Sequence, residues 1–202
     1  MKIIKNRKCF FSIFSFVSLL FLFIFIIVNF YSLKIEYAEK KLLNGNFEIY
    51  NTGCIVKALG QNTESVSATV SFYLPDGKPL GSYERSWHGW ELKLECIVLQ
   101  LKKGALVFPY RIFSDESKYG TGIKLFSYYL KNGYPAIYDY SFFSDEEKDA
   151  VKTLFSFAAF SPNLFLTFSS AKKQTVSLRR FNPDTEYILT VSPSGSLLLK
   201  TN

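Results

Sequence analysis

Between Cys9 and Leu33 the chain runs CFFSIFSFVSLLFLFIFIIVNFYSL, without a charged residue and dominated by Phe, Ile, Leu and Val. About 20 apolar residues, each rising roughly 1.5 Å along a helix, cross a hydrocarbon core of about 30 Å. The run is long enough to span with some tilt, so it is expected to form a transmembrane helix. Everything after it is presented by that anchor.

The flanks decide between an anchor and a cleaved signal. A secretory signal has a basic start, an apolar stretch of about 7 to 15 residues and small residues at a cleavage site. Here the apolar run is longer, and Asn29, Phe30, Tyr31, Ser32 and Leu33 offer no such site. Cys9 precedes the run, whereas a lipid-bearing cysteine would follow it. An uncleaved signal-anchor is the expectation. Lys2, Lys5, Arg7 and Lys8 precede the span and Lys34, Lys40 and Lys41 follow it. The bias toward the short amino-terminal tail puts that tail in the cytoplasm and the domain outside.

Those first four charges also account for much of the net +7, because no acidic residue comes before Glu36. Only +3 is left for the rest, where Lys and Arg alternate with Asp and Glu. A nucleic-acid binder carries a clustered basic stripe; without one, no nucleic-acid partner is expected. The organisation read from 202 residues is a basic tail (1–8), a transmembrane helix (9–33), a helical stalk (34–45) and one domain (46–202). In the stalk Glu36 stands four residues before Lys40, the favourable order for a helical ion pair, and Asn44-Gly45 reads as the stop.

The domain reads as strands. Val66, Ala68, Val70, Phe72 and Leu74 alternate with Ser67, Thr69, Ser71 and Tyr73, the period of a half-buried strand, and Pro75-Asp76-Gly77 supplies a turn. Further strands are expected at Ser82–Trp87, Trp90–Leu101 and Ala105–Phe113, joined by His88-Gly89 and Lys102-Lys103-Gly104 into an antiparallel meander. In the third, Trp90, Leu92, Leu94 and Cys96 alternate with Glu91, Lys93 and Glu95 before an apolar stretch, so one face starts wet and both end buried. Ile123–Leu130 is a strand candidate. Ser144 and Glu147 form a capping box for a helix to Phe160 that presents Val151, Leu154, Phe155 and Ala158 on one face. Leu164–Phe168, Thr175–Arg180, Tyr187–Val191 and Ser196–Lys200 return to strands, the last two as a hairpin. The class expected is α+β, mostly antiparallel sheet with one main packed helix.

Chemistry is sparse. The single His, His88, sits between Trp87 and Gly89 in an expected turn and is a poor basis for a catalytic triad or an imidazole metal site. Gly120-Thr121-Gly122 completes no phosphate-binding motif and leads into a strand rather than a helix. Asp145, Glu146, Glu147 and Asp149 are accounted for by the helix start and its dipole, not a metal. No cofactor and no catalytic residue is assigned. Bridging Cys54 and Cys96 would close a loop of about 43 residues, worth near 4 kcal/mol in the chain-entropy picture; an unpaired cysteine also suits the apolar face that carries Cys96.

Aromatic and polar groups concentrate at Tyr83, Arg85, Trp87, His88 and Trp90. Exposed, they form a candidate surface for a sugar or a protein; buried, the tryptophans close the end of a sheet. The expectation for function is a single-pass bacterial membrane protein whose extracytoplasmic domain serves the cell envelope as a binding or scaffolding module, with an envelope protein or a glycan as partner. The bacterial source is inferred from the basic tail with its anchor and from the Lys-, Ile- and Phe-heavy composition. One alternative is a carbohydrate or cell-wall binding domain using the aromatic cluster. Another is a membrane-tethered hydrolase working through carboxylates such as Glu84, Asp115 or Asp139, which two converging carboxylates in a cleft would favour.

Overall fold

The computed structural model describes residues 2–43, 51–102, 104–118, 121–160, 171–179, 182–192 and 194–201. By packing, the chain divides into two units, Met1–Tyr37 and Ala38–Asn202. The first belongs to α1 (Lys2–Leu43), an unbroken helix. Its stretch Ser15–Leu42 is long and apolar enough to cross a membrane. Phe16, Phe21, Phe23 and Leu33 are bare, as expected of a helix whose apolar surface is covered by lipid rather than by protein.

The last turn of α1 already belongs to the second unit. Ala38 and Leu42 are buried there, Glu39 accepts a hydrogen bond from the Lys102 amide, and Lys41 pairs with Glu146 at 3.1 Å.

The second unit is α+β, with two large antiparallel sheets, a small two-stranded one and one packed helix among the described residues. The first sheet contains β1 (Asn51–Gln61), β2 (Ser65–Tyr73), β3 (Pro79–His88), β10 (Glu186–Val191) and β11 (Leu197–Thr201), in the order β11-β10-β1-β2-β3. The second contains β4 (Leu92–Gln100), β5 (Ala105–Ser114), β6 (Ile123–Lys124) and β9 (Ala171–Leu178), in the order β6-β5-β4-β9. Alternation sets the inner faces. In β2, Val66, Ala68, Val70 and Phe72 are fully buried while Ser67, Thr69 and Ser71 are half-exposed, and Cys54, Val56 and Ala58 do the same in β1. β1 and β3 lie against β5, closing the sandwich.

The expected meander is corrected at one point. β2 pairs with β3 and β4 with β5, but β3 and β4 belong to different sheets. His88-Gly89 therefore carries the chain from one sheet to the other instead of turning a hairpin. Gly89 adopts φ +105°, its amide donates to the Glu64 carbonyl at 2.9 Å, and Asp115 Oδ1 accepts the next two amides, Trp90 at 3.2 Å and Glu91 at 3.1 Å. These bonds satisfy a backbone that has left its ladder.

A second correction concerns Ile123–Leu130. Only Ile123–Lys124 is strand; a 3-10 turn, Phe126–Tyr128, follows, and then a short hairpin of β7 (Leu130–Lys131) and β8 (Tyr134–Pro135). Aromatic packing outweighs strand propensity here: Phe126 meets Tyr110, Tyr129 and Phe155, and Tyr129 donates to the Pro109 carbonyl at 2.9 Å. That carbonyl lies at a bulge, where Glu95 faces Arg111 and Cys96 faces Pro109, leaving Tyr110 as the extra residue.

α2 (Asp145–Phe160) starts with the expected capping box: Ser144 donates twice to Glu147 Oε2 at 2.8 Å and accepts from the Glu147 amide at 3.3 Å. Val151, Leu154, Phe155 and Ala158 are buried; the helix lies against β4, with Phe155 on Phe108 at 5.1 Å between ring centres. The candidate strand Leu164–Phe168 and the helix stop at Asn44-Gly45 lie outside the described residues.

Candidate functional site: a charged groove on the second sheet

α2 covers only part of the outer face of the second sheet. Along β4 the outward residues are Lys93, Glu95, Ile97 and Leu99, and the last two are buried beside Phe108 and Leu106 of β5. The other end of that face stays open as a groove of about 530 Å³ lined by Lys93, Glu95, Arg111, Phe113, Thr175 and Ser177, and rimmed by Ser114, Asp115, Ser117, Lys118 and Thr121. Antiparallel register brings these side chains together: Glu95 lies opposite Arg111 on one neighbour and Thr175 on the other, and Lys93 opposite Phe113 and Ser177.

Two carboxylates are nearly buried here, Glu95 on β4 and Glu91 immediately before it. Glu95, 5% exposed, accepts at Oε2 from Arg111 Nε at 2.8 Å and Nη2 at 2.7 Å. Arg111 also donates to the Thr121 carbonyl at 3.3 Å and lies over the Phe113 ring, 5.0 Å from its centre. Glu91, 6% exposed, pairs with Arg179 at 3.2 Å and stands 3.9 Å from Lys93. Burial alone would push the Glu91 carboxyl up, but hydrogen bonds from Ser177 and Arg179 and the charges of Lys93 and Arg179 outweigh it and hold the group below its ordinary range. Each buried acid thus has its own arginine, as a buried charge requires.

The aromatic cluster read from the sequence is divided. Trp87 is 7% exposed and faces the sandwich interior, edge-on to Tyr83, which also packs on Tyr128. Trp90 is 46% exposed beyond the strand end, with its carbonyl held by Gln61 Nε2. Arg85 and His88 are exposed on β3, an edge strand, and their places in the register put them on opposite faces. The five do not form one platform.

The three named carboxylates are also apart. Glu84 accepts from Thr69 at 3.0 Å, Asp139 pairs with Lys148 at 2.7 Å, and Asp115 holds the sheet crossing while lining the groove. Cys54 and Cys96 are free thiols, both fully buried. Burial pushes each thiol up, and for Cys96 the nearby Cys54 and Glu95 add to it. Among the described residues no three His, Cys, Asp or Glu side chains gather as a metal-ligand set.

The groove is the site that sequence reasoning missed. Its signal was present in the Glu91-Lys93-Glu95 alternation and in Arg111, alone among apolar neighbours on β5. Only the register of three strands brings them together. Comparison with protein families, curated proteins and solved structures finds no match for this chain.

Proposed function

We propose that this chain is a single-pass membrane protein that holds a ligand-binding module outside a bacterial cytoplasmic membrane, where it recognises or scaffolds a component of the cell envelope. The observation that carries the reading is the open groove on a sheet face otherwise covered by α2, in a domain whose chain begins with an apolar helix. Its buried acid Glu95 is engaged by Arg111, and neighbouring Glu91 by Arg179, which suits recognition better than proton transfer, since a general acid must give a proton to substrate and a general base must take one from it. A glycan partner is favoured over a tryptophan-based platform elsewhere, because Trp87 is enclosed and the groove walls carry hydroxyls.

The topology is tested with protease added to intact spheroplasts of a bacterial host expressing the full chain. Digestion of the domain while the amino-terminal tail survives is expected. Protection until the membrane is permeabilised overturns the orientation.

A further inference from the structure

The floor of the groove holds a carboxyl group with one oxygen unused. Glu95 Oε2 takes both hydrogen bonds from Arg111, whereas Oε1 is buried and has no hydrogen-bond partner among the described residues. The nearby ammonium of Lys173 is 3.8 Å away, beyond hydrogen-bond reach. A buried acceptor left empty costs about 1 to 3 kcal/mol, more when charged, and native structures fill such places with water, an ion or a ligand group. The Lys173 side chain is 37% exposed on a flexible four-carbon stem. Its ammonium also lies over the Tyr110 ring, 5.0 Å from the centre, so it is not committed to Oε1.

The surroundings select what enters. The Glu95 charge is already balanced by Arg111 and approached by Lys173, so a metal ion or an ammonium would meet two positive neighbours. A neutral hydroxyl donor meets no such opposition. The walls add Lys93 and Lys118, which together outweigh the wall carboxylate Asp115, whose Oδ1 already holds the Trp90 and Glu91 amides, and so favour an anion; the hydroxyls of Thr175 and Ser177 both give and accept hydrogen bonds. Phe113 supplies an aromatic surface for the apolar side of a ring.

We propose that this groove binds an acidic sugar, a hydroxylated ring bearing one carboxylate, with a ring hydroxyl donating to Glu95 Oε1 and the carboxylate lying between Lys93 and Lys118. The inference rests on reading the domain as a binding module, and it names the ligand class of that same site.

The test uses the full chain in lipid nanodiscs and D-glucuronate as probe, followed by ligand-observed NMR, with glucose and acetate as partial mimics. Saturable glucuronate binding is expected, with both mimics at least tenfold weaker because each satisfies only one end of the groove. A Lys93→Glu, Lys118→Glu double variant that melts like the parent should lose at least tenfold. Lys173→Ala should keep or tighten glucuronate binding, since it removes the ammonium that would compete with the ring hydroxyl for Oε1. Absence of glucuronate binding, acetate binding as well as glucuronate, or Lys173→Ala weakening it as much as the double variant would each overturn the proposal, the last two by reducing the groove to a cationic patch. Binding is read on purified protein, so a failed titration leaves the topology result standing, and a reversed topology leaves the titration standing.

Discussion

The Tyr138 hydroxyl sits against the backbone of Val107 and satisfies both of its polar groups, accepting from the amide at 2.8 Å and donating to the carbonyl at 2.7 Å. At Val107, β5 has lost the neighbour that β6 gives it further on at Arg111 and Ile112, and a side chain from the 3-10 turn Ala136–Tyr138 takes the place of a strand. Tyr138→Phe keeps the ring against Phe108 but leaves two buried backbone groups unmet. A loss of about 2 to 4 kcal/mol is expected by urea titration. Tyr134→Phe, which removes a half-buried hydroxyl bound to the Tyr138 carbonyl, should cost less.

Alkali should act through the same interior tyrosines. Burial pushes the phenols of Tyr129 and Tyr138 above their ordinary value, Tyr138 despite its bond to Val107. A group whose folded pKa lies above its unfolded one contributes stability that is whole below the unfolded value, about 10 for tyrosine, and is lost as pH rises beyond it. The urea midpoint should fall above pH about 10, together with the rise of tyrosinate absorbance. A midpoint that stays level through that range would contradict burial of these phenols.

The sheet crossing can be probed with two glycines. Gly89 and Gly77 both have positive φ, +105° and +84°, so alanine strains either backbone by about 1 to 2 kcal/mol. A Cβ at Gly77 meets open space, whereas at Gly89 it strikes Asp115 Oδ1, the atom that holds the Trp90 and Glu91 amides. Gly89→Ala should therefore destabilise by at least about 1 kcal/mol more than Gly77→Ala, a minimum set by loss of one hydrogen bond. Equal melting temperatures for the two variants would show that Asp115 is not needed there.

The tryptophans should separate in the same way. Trp87→Ala removes an enclosed ring and is expected to cost about 3 to 5 kcal/mol, while Trp90→Ala at an exposed position should stay within about 0.5 kcal/mol. Denaturation curves of the single variants measure this directly. Loss of function without loss of fold in Trp90→Ala would return attention to that end of β3.

What was legible in the sequence was local. The β2 alternation and the Ser144–Glu147 box need only a strand or one helical turn, and both are found where their residues predict them. β1 went unread because Gly53 and Gly60 interrupt its pattern, although Cys54, Val56 and Ala58 keep the two-residue period. At His88-Gly89 a hairpin and a change of sheet ask for the same residue types, so the choice lay with distant Asp115 and Glu64. The groove was illegible for a related reason. Glu95, Arg111 and Thr175 become neighbours only through strand register, which depends on the whole sandwich.

Sealing Cys54 and Cys96 inside the sandwich gives the domain an internal clock. A thiol reacts as its thiolate and only when reached by reagent, and burial denies both conditions while the sheets stay together. Each labelling event at these two positions then records one opening of the core, and the labelling rate under native conditions measures how often the sheets part.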